Sequence, residues 1–204
     1  MSAKLYFFHG TMASSKTAVM LMKAYSFEER GIPFLCFKPS IDNRDGVDKI
    51  VSRIGISREC LTIAPDEDLN KTMFDIFYNL KLNKCDFPKW LFIDECQFLS
   101  REQVNALAKV VDTYDVNVMC FGLRTDFKTN LFEGSKRLME IADNIEELKI
   151  SCKCGKKAIF NARVDRYGNI VGEGEQILIG GDENYIPMCR KCYYDALNKI
   201  HVNN

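Results

Sequence analysis

The sequence of 204 residues has no charge of either sign to spare: Lys+Arg and Asp+Glu each total 28. Nothing in that balance draws the whole chain to nucleic acid or to anionic lipid. It also has no long apolar run. Near the start, Leu5–Phe8 stops at the polar His9. That is too short for the apolar region of a signal peptide, and no stretch approaches the ~20 apolar residues of a membrane span. A cytoplasmic protein with no membrane partner is expected. Repeats and low-complexity segments are missing as well. What remains, at 47% hydrophobic and 27% charged, is an ordinary globular composition. The length allows one good core, or one core with a small appendage.

Cysteine is the residue in good supply, with nine. Cys36, Cys60, Cys85, Cys96 and Cys120 are scattered, mostly beside apolar residues, and read as reduced, buried thiols. Cys152, Cys154, Cys189 and Cys192 form two close pairs, spaced as C-x-C and C-x-x-C. Four thiolates suffice for a closed tetrahedral zinc site, structural because no position is left open for catalysis. Redox thiols or buried cysteines are the other reading of the same residues.

Unalternating apolar runs alternate with helical periodicity. Strands are expected at Leu5–His9, Phe34–Lys38, Leu61–Ala64, Trp90–Asp94, Val116–Leu123 and Ile145–Ile150. Helices are expected over Lys16–Arg30, Leu69–Leu82 and from a capping box at Ser100 and Gln103 to Asp112. This is the pattern of an α/β fold, a parallel sheet with helices on both faces. After Ser151 glycines cluster among short strand-like pieces such as Ala158–Val164. A boundary is placed there, giving an α/β domain at 1–150 and a small zinc-binding domain at 151–204 that ends in a helix.

Two motifs carry chemistry. Gly10-Thr11-Met12-Ala13-Ser14-Ser15-Lys16-Thr17 lies between strand and helix and matches the phosphate-binding pattern G-x-x-x-x-G-K-[ST] except that Ser15 stands for its second glycine. Small residues let backbone N–H groups wrap a phosphate at a helix N-terminus. Lys16 would reach the β- and γ-oxygens and Thr17 would hold Mg²⁺. A small-residue turn capping an ordinary helix is the alternative. If the Ser15 position demands an unusual backbone conformation, the strain is ~1–3 kcal/mol, tolerable in a ligand site. The second motif is Leu91-Phe92-Ile93-Asp94-Glu95, an apolar strand delivering two carboxylates where ligands bind in open parallel sheets. One carboxylate on a Mg²⁺-bound water and one free to take a proton is a workable division of labour, against the alternative of a solvated loop.

Together with Asp42-Asn43-Arg44, Asp94-Glu95-Cys96-Gln97-Phe98, Gly122-Leu123-Arg124-Thr125-Asp126-Phe127, Cys154-Gly155, Gly180-Gly181 and Tyr185 before Cys189, these stretches make the chain resemble the cytosolic-type (type II) thymidine kinases, bacterial members above all, over nearly its whole length. The resemblance implies a P-loop α/β domain with a zinc-bound lasso. It also implies transfer of the γ-phosphate of ATP to the 5′-hydroxyl of thymidine, or deoxyuridine, in nucleotide salvage. Glu95 would be the general base and Asp94 would position Mg²⁺. Lys16 and Thr17 would hold the triphosphate, with Asp42 and Arg44 in a donor-site loop and Gln97 beside the nucleotide. Phe127, Phe132, Leu123 and Met12 would surround thymine, with Phe98 nearby. Each of these is otherwise readable as core. Arg163 would lie near the reacting groups, or else be a surface arginine. Gln176, Ile177, Leu178, Ile179 and Gly180, with Tyr185, would form the lasso that reads the base. The family further implies a homotetramer inhibited by thymidine triphosphate, with no nucleic-acid partner. A competing class is a P-loop ATPase whose zinc ribbon binds DNA.

Overall fold

The computed structural model describes residues 2–44, 46–82, 86–176 and 185–202. Six parallel strands form the central sheet: β1 Leu5–His9, β2 Phe34–Pro39, β5 Leu61–Ile63, β6 Trp90–Ile93, β7 Asn117–Gly122 and β8 Asn144–Glu147. Their order is β5-β2-β6-β7-β1-β8. The helices are α1 Lys16–Glu29, α2 Leu69–Leu82, α3 Arg101–Tyr114, α4 Glu133–Ile141 and α5 Arg190–Val202. No described helix is long and apolar enough to cross a membrane.

The inner strands β1, β6 and β7 are apolar on both sides because both faces are covered, whereas the edge strand β8 is mostly exposed. Leu5 and Phe7 of β1, Leu91 and Ile93 of β6, and Val118 and Cys120 of β7 pack with α2 and α3. Their neighbours in sequence, Phe8, Phe92, Met119 and Phe121, pack on the opposite face against Met20, Leu21 and Ala24 of α1. The expected capping box is complete: Ser100 Oγ accepts from the Gln103 amide and Gln103 Oε1 from the Ser100 amide.

The strand expected over Ile145–Ile150 is shifted to Asn144–Glu147. Its partner β1 ends at His9, and after the Leu148 amide donates to the His9 carbonyl no strand is left to pair with. Two features have no counterpart in the sequence reading. One is the hairpin of β3 Lys49–Val51 and β4 Ser57–Glu59. The other is α4, whose Gly134 lies so close to the carbonyls of Cys96 and Leu99 that a Cβ would sit 2.6 and 2.7 Å from them. Past Ser151, β9 Phe160–Arg163 and β10 Tyr185–Met188 pair antiparallel, and a small cluster of Ala162, Val164, Ile170 and Tyr193 joins them to α5. Cys36, Cys96 and Cys120 are buried and Cys60 is half-buried, all as free thiols. Cys85 lies outside the described residues.

Candidate active site

The C-terminal ends of β1, β2, β6 and β7 open on one side of the sheet, and a cavity of about 410 Å³ lies there. At one end it is bordered by the loop between β1 and α1. Gly10 is required for the tightness of that loop, since a Cβ would lie 2.6 Å from the Leu148 carbonyl oxygen. Ala13 and Ser15 both have left-handed backbone, at φ 62° and 59°. That is the conformation for which glycine is favoured, which explains why the motif has glycine at the position Ser15 fills. Ser15 places no side-chain cap on α1. The first helical turn, Lys16, Thr17 and Ala18, borders the cavity with its N-terminal end, the end of a helix that favours anions. Lys16 Nζ folds back over the loop, donating to the Thr11 carbonyl at 2.8 Å. Met12, Ala13, Ser15, Lys16 and Thr17 face the cavity, while Gly10, Thr11 and Ser14 form the buried floor of the loop.

Asp94 directly follows β6, is 5% exposed and donates its backbone amide to the Phe37 carbonyl. Burial, and then the neighbouring Glu95, push its carboxyl up to about 7, against a hydrogen bond from Thr17. A buried carboxyl linked to a hydroxyl and strained by a second acid is a donor set suited to a hard cation such as Mg²⁺. Glu95 has left-handed backbone, φ 48°, which turns its side chain toward the cavity. Its Oε1 accepts from Arg44 Nη2 at 2.8 Å and its Oε2 from Gln97 Nε2 at 2.5 Å. Arg44 also donates to Asp42 Oδ1 at 2.6 Å, so the loop carrying both reaches the end of β6. Gln97 Oε1 in turn accepts the Leu123 amide at 2.9 Å, joining the ends of β6 and β7.

The other end of the cavity is apolar, bordered by Phe98, Leu123, Phe127 and Phe132, with Gln176 and Tyr185 completing it. Phe98 and Phe132 meet edge to face, their centroids 6.0 Å apart. Arg163 does not border the cavity; it is buried behind Phe127. Ile177, Leu178, Ile179 and Gly180 lie outside the described residues. The sequence reading gave no role to Asn161, which borders the cavity and whose Oδ1 accepts the Met12 amide at 2.7 Å. It also gave none to Val51, Ser52, Arg53 and Ile54 of the β3–β4 hairpin. A single asparagine and a short polar hairpin carry no periodic or motif signal. Asp126 and Thr125, also on the cavity wall, belong to the Gly122–Phe127 string.

The four late cysteines come together, with all four Sγ atoms within 4.8 Å of one another. Sulfurs ~2.3 Å from a tetrahedral zinc would be ~3.8 Å apart, and Cys154 and Cys189 Sγ are 3.6 Å apart. Backbone amides of Cys154 and Cys189 hold the Cys152 thiol down to about 6, while hydrogen bonding to the other thiols pushes Cys192 up to about 12. Four sulfurs at this spacing are a donor set that fits zinc.

The thymidine kinase family model matches residues 3–193. The thymidine kinase of phage T4 is 46% identical over 198 residues, covering 97% of this chain and 99% of its own. That of Vibrio cholerae is 42% identical over 197 residues, 97% and 100% of the two chains. That of Streptococcus agalactiae is 46% identical over 194 residues, 95% and 98%. With one cavity combining a phosphate-type loop, paired acids and an apolar pocket, and with relatives of this identity along both full lengths, the chain belongs to the thymidine kinase family.

Proposed function

We propose that the protein phosphorylates thymidine, transferring the γ-phosphate of ATP to the 5′-hydroxyl to give thymidine monophosphate. The observation that carries this reading is that Glu95 borders the same cavity as Lys16, Arg44 and the first turn of α1 on one side and Phe98, Leu123, Phe127 and Phe132 on the other. Lys16, the first turn of α1 and Arg44 would bind the donor's phosphates. Thr17 and Asp94 would hold Mg²⁺, which when bound neutralises charge on the phosphates. Glu95, kept in place by Arg44 and Gln97, would take the proton from the attacking hydroxyl. Phe98, Leu123, Phe127 and Phe132 would enclose the base. Arg163 belongs to the same site, one layer behind Phe127.

Zinc on the four cysteines would anchor the segments bearing Arg163 and Tyr185, making residues 151–204 a nucleoside-binding part attached to the nucleotide-binding part at 1–150. Free thiols throughout the described residues support a reducing, cytoplasmic setting. Phe74, Tyr78 and Leu82 form an exposed apolar stripe on α2, which supports self-association, as a homotetramer in this reading. Feedback inhibition by thymidine triphosphate follows if one molecule fills both ends of the cavity. The DNA-dependent ATPase is not favoured, given the family and the balanced charge. Incubating the protein with ATP, Mg²⁺ and either thymidine or single-stranded DNA tests the proposal. Thymidine monophosphate is the expected product; DNA-stimulated hydrolysis without it would refute the reading.

A further inference from the structure

Arg163 stands on β9 opposite Tyr185 of β10 and is 8% exposed. Its guanidinium makes contacts with three segments far apart in sequence. The central carbon lies 3.8 Å from the Phe127 ring centroid, over its face. Nε and Nη2 donate to the Tyr185 hydroxyl oxygen at 3.0 and 2.6 Å. Nη1 donates to the Glu175 carbonyl at 3.0 Å. The chain runs so near that a Cβ on Gly174, at φ +126°, would lie 3.2 Å from Nη1. Phe127, Tyr185 and Gln176, the residue after Glu175, all border the apolar end of the cavity.

We propose that Arg163 is a positioning residue for the nucleoside, joining three walls of the pocket from behind without touching the ligand. The inference rests on the kinase reading and assigns Arg163 a role within it. Only a planar fork of five donors can stack on one ring and reach two acceptors in different directions; an ammonium on a flexible stem cannot. The contact with Tyr185 also fixes what that residue can do. A phenol oxygen that accepts two N–H bonds has both lone pairs engaged, so its own O–H is left to donate. Tyr185 is thereby set as a hydrogen-bond donor, suited to an acceptor oxygen on a nucleoside. The guanidinium directs its hydrogen bonds to Tyr185 and Glu175, at the apolar end of the cavity, so the effect of losing it falls on nucleoside and not on donor.

The test is steady-state kinetics of the full chain with thymidine and ATP varied separately. Wild type is compared with Arg163→Met, Arg163→Lys, Tyr185→Phe and the double variant Arg163→Met with Tyr185→Phe, with zinc content and melting temperature alongside. Arg163→Met should raise the KM for thymidine about tenfold or more and leave the KM for ATP within about twofold, at unchanged zinc content. Arg163→Lys should not rescue it, and the double variant should lose less than the product of the two single effects. An unchanged thymidine KM in a folded Arg163→Met protein, a parallel rise in both KM values, or full rescue by lysine would overturn the proposal. Should Arg163→Met fail to fold, unchanged thymidine KM in both Arg163→Lys and Tyr185→Phe would overturn it equally. If wild type makes no thymidine monophosphate, the kinase reading fails by itself. Calorimetric binding of thymidine to the same variants then still reads the role of Arg163: weaker binding sustains it and equal binding overturns it.

Discussion

Replacing Ser15 by glycine restores the usual residue of the phosphate loop, and its effect can be worked out from the backbone. Ser15 sits at φ 59°, ψ 26° and contributes no capping hydrogen bond to α1. Its side chain is exposed, so its removal forfeits no packing. Left-handed backbone costs a residue with a Cβ ~1–2 kcal/mol. Glycine removes that cost but loses more conformational freedom on folding, which returns ~0.5–1 kcal/mol. Ser15→Gly should therefore stabilise the protein by about 0.5–1 kcal/mol, raising the melting temperature by about 1–4 °C for a chain of this size. ATP affinity and turnover should be retained, because the backbone amides proposed to meet the phosphates keep their directions. Ser15→Ala is the control: it keeps the strain and should leave the melting temperature nearly unchanged. Calorimetric melting with and without ATP reads both effects. A fall in melting temperature for Ser15→Gly, or a large loss of ATP binding, would refute the reasoning that this residue is a strained stand-in for glycine.

Removing zinc with a chelator should weaken thymidine binding more than ATP binding, measured by calorimetry on the chelated protein; unchanged thymidine affinity would detach the cysteine cluster from the nucleoside pocket. Gly122→Ala would put a Cβ 2.6 Å from Gln97 Oε1 and 2.7 Å from Cys96 Sγ. This should destabilise the fold by about 1–3 kcal/mol, read as a lower urea midpoint. His9 is buried on β1, and burial, followed by the charge of Arg124, lowers it from 6.5 to about 4. The unfolded chain therefore takes up this proton first, so its contribution to stability is full above about pH 6.5 and is lost as pH falls toward 4. Urea midpoints between pH 7 and 4.5 should show that loss, and His9→Gln should flatten it.

The sheet was legible because strands covered on both faces are written as unbroken apolar runs, as in Leu91-Phe92-Ile93 and Val118-Met119-Cys120-Phe121. The same runs hide which residue faces which helix, and only the alternation of Phe7 and Phe8 between two packed faces resolves it. Helix α4 escaped notice because its first turn, Glu133-Gly134-Ser135, has no apolar stripe; Gly134 serves a close backbone approach instead. The β3–β4 hairpin escaped because Ile50 is its one buried apolar residue. In the site, the loop at Gly10–Thr17 and the acids at Asp94 and Glu95 were readable as local strings. The contact of Arg44 with Glu95 and that of Asn161 with Met12 join residues far apart in sequence, and no local pattern encodes them. Ser15 shows the intermediate case. The sequence marked the position as unusual, and the backbone angle supplied the reason.

Central to the account is Glu95 as the base, held by Arg44 and Gln97 at the junction of the two ends of the cavity. Glu95→Gln keeps the size of the side chain and removes its ability to take a proton. The most direct measurement is the rate of thymidine monophosphate formation by this variant against wild type at saturating ATP, Mg²⁺ and thymidine. The predicted result is a fall of about 10²–10⁴-fold in kcat with both KM values within a few-fold of wild type. An undiminished rate would contradict the account.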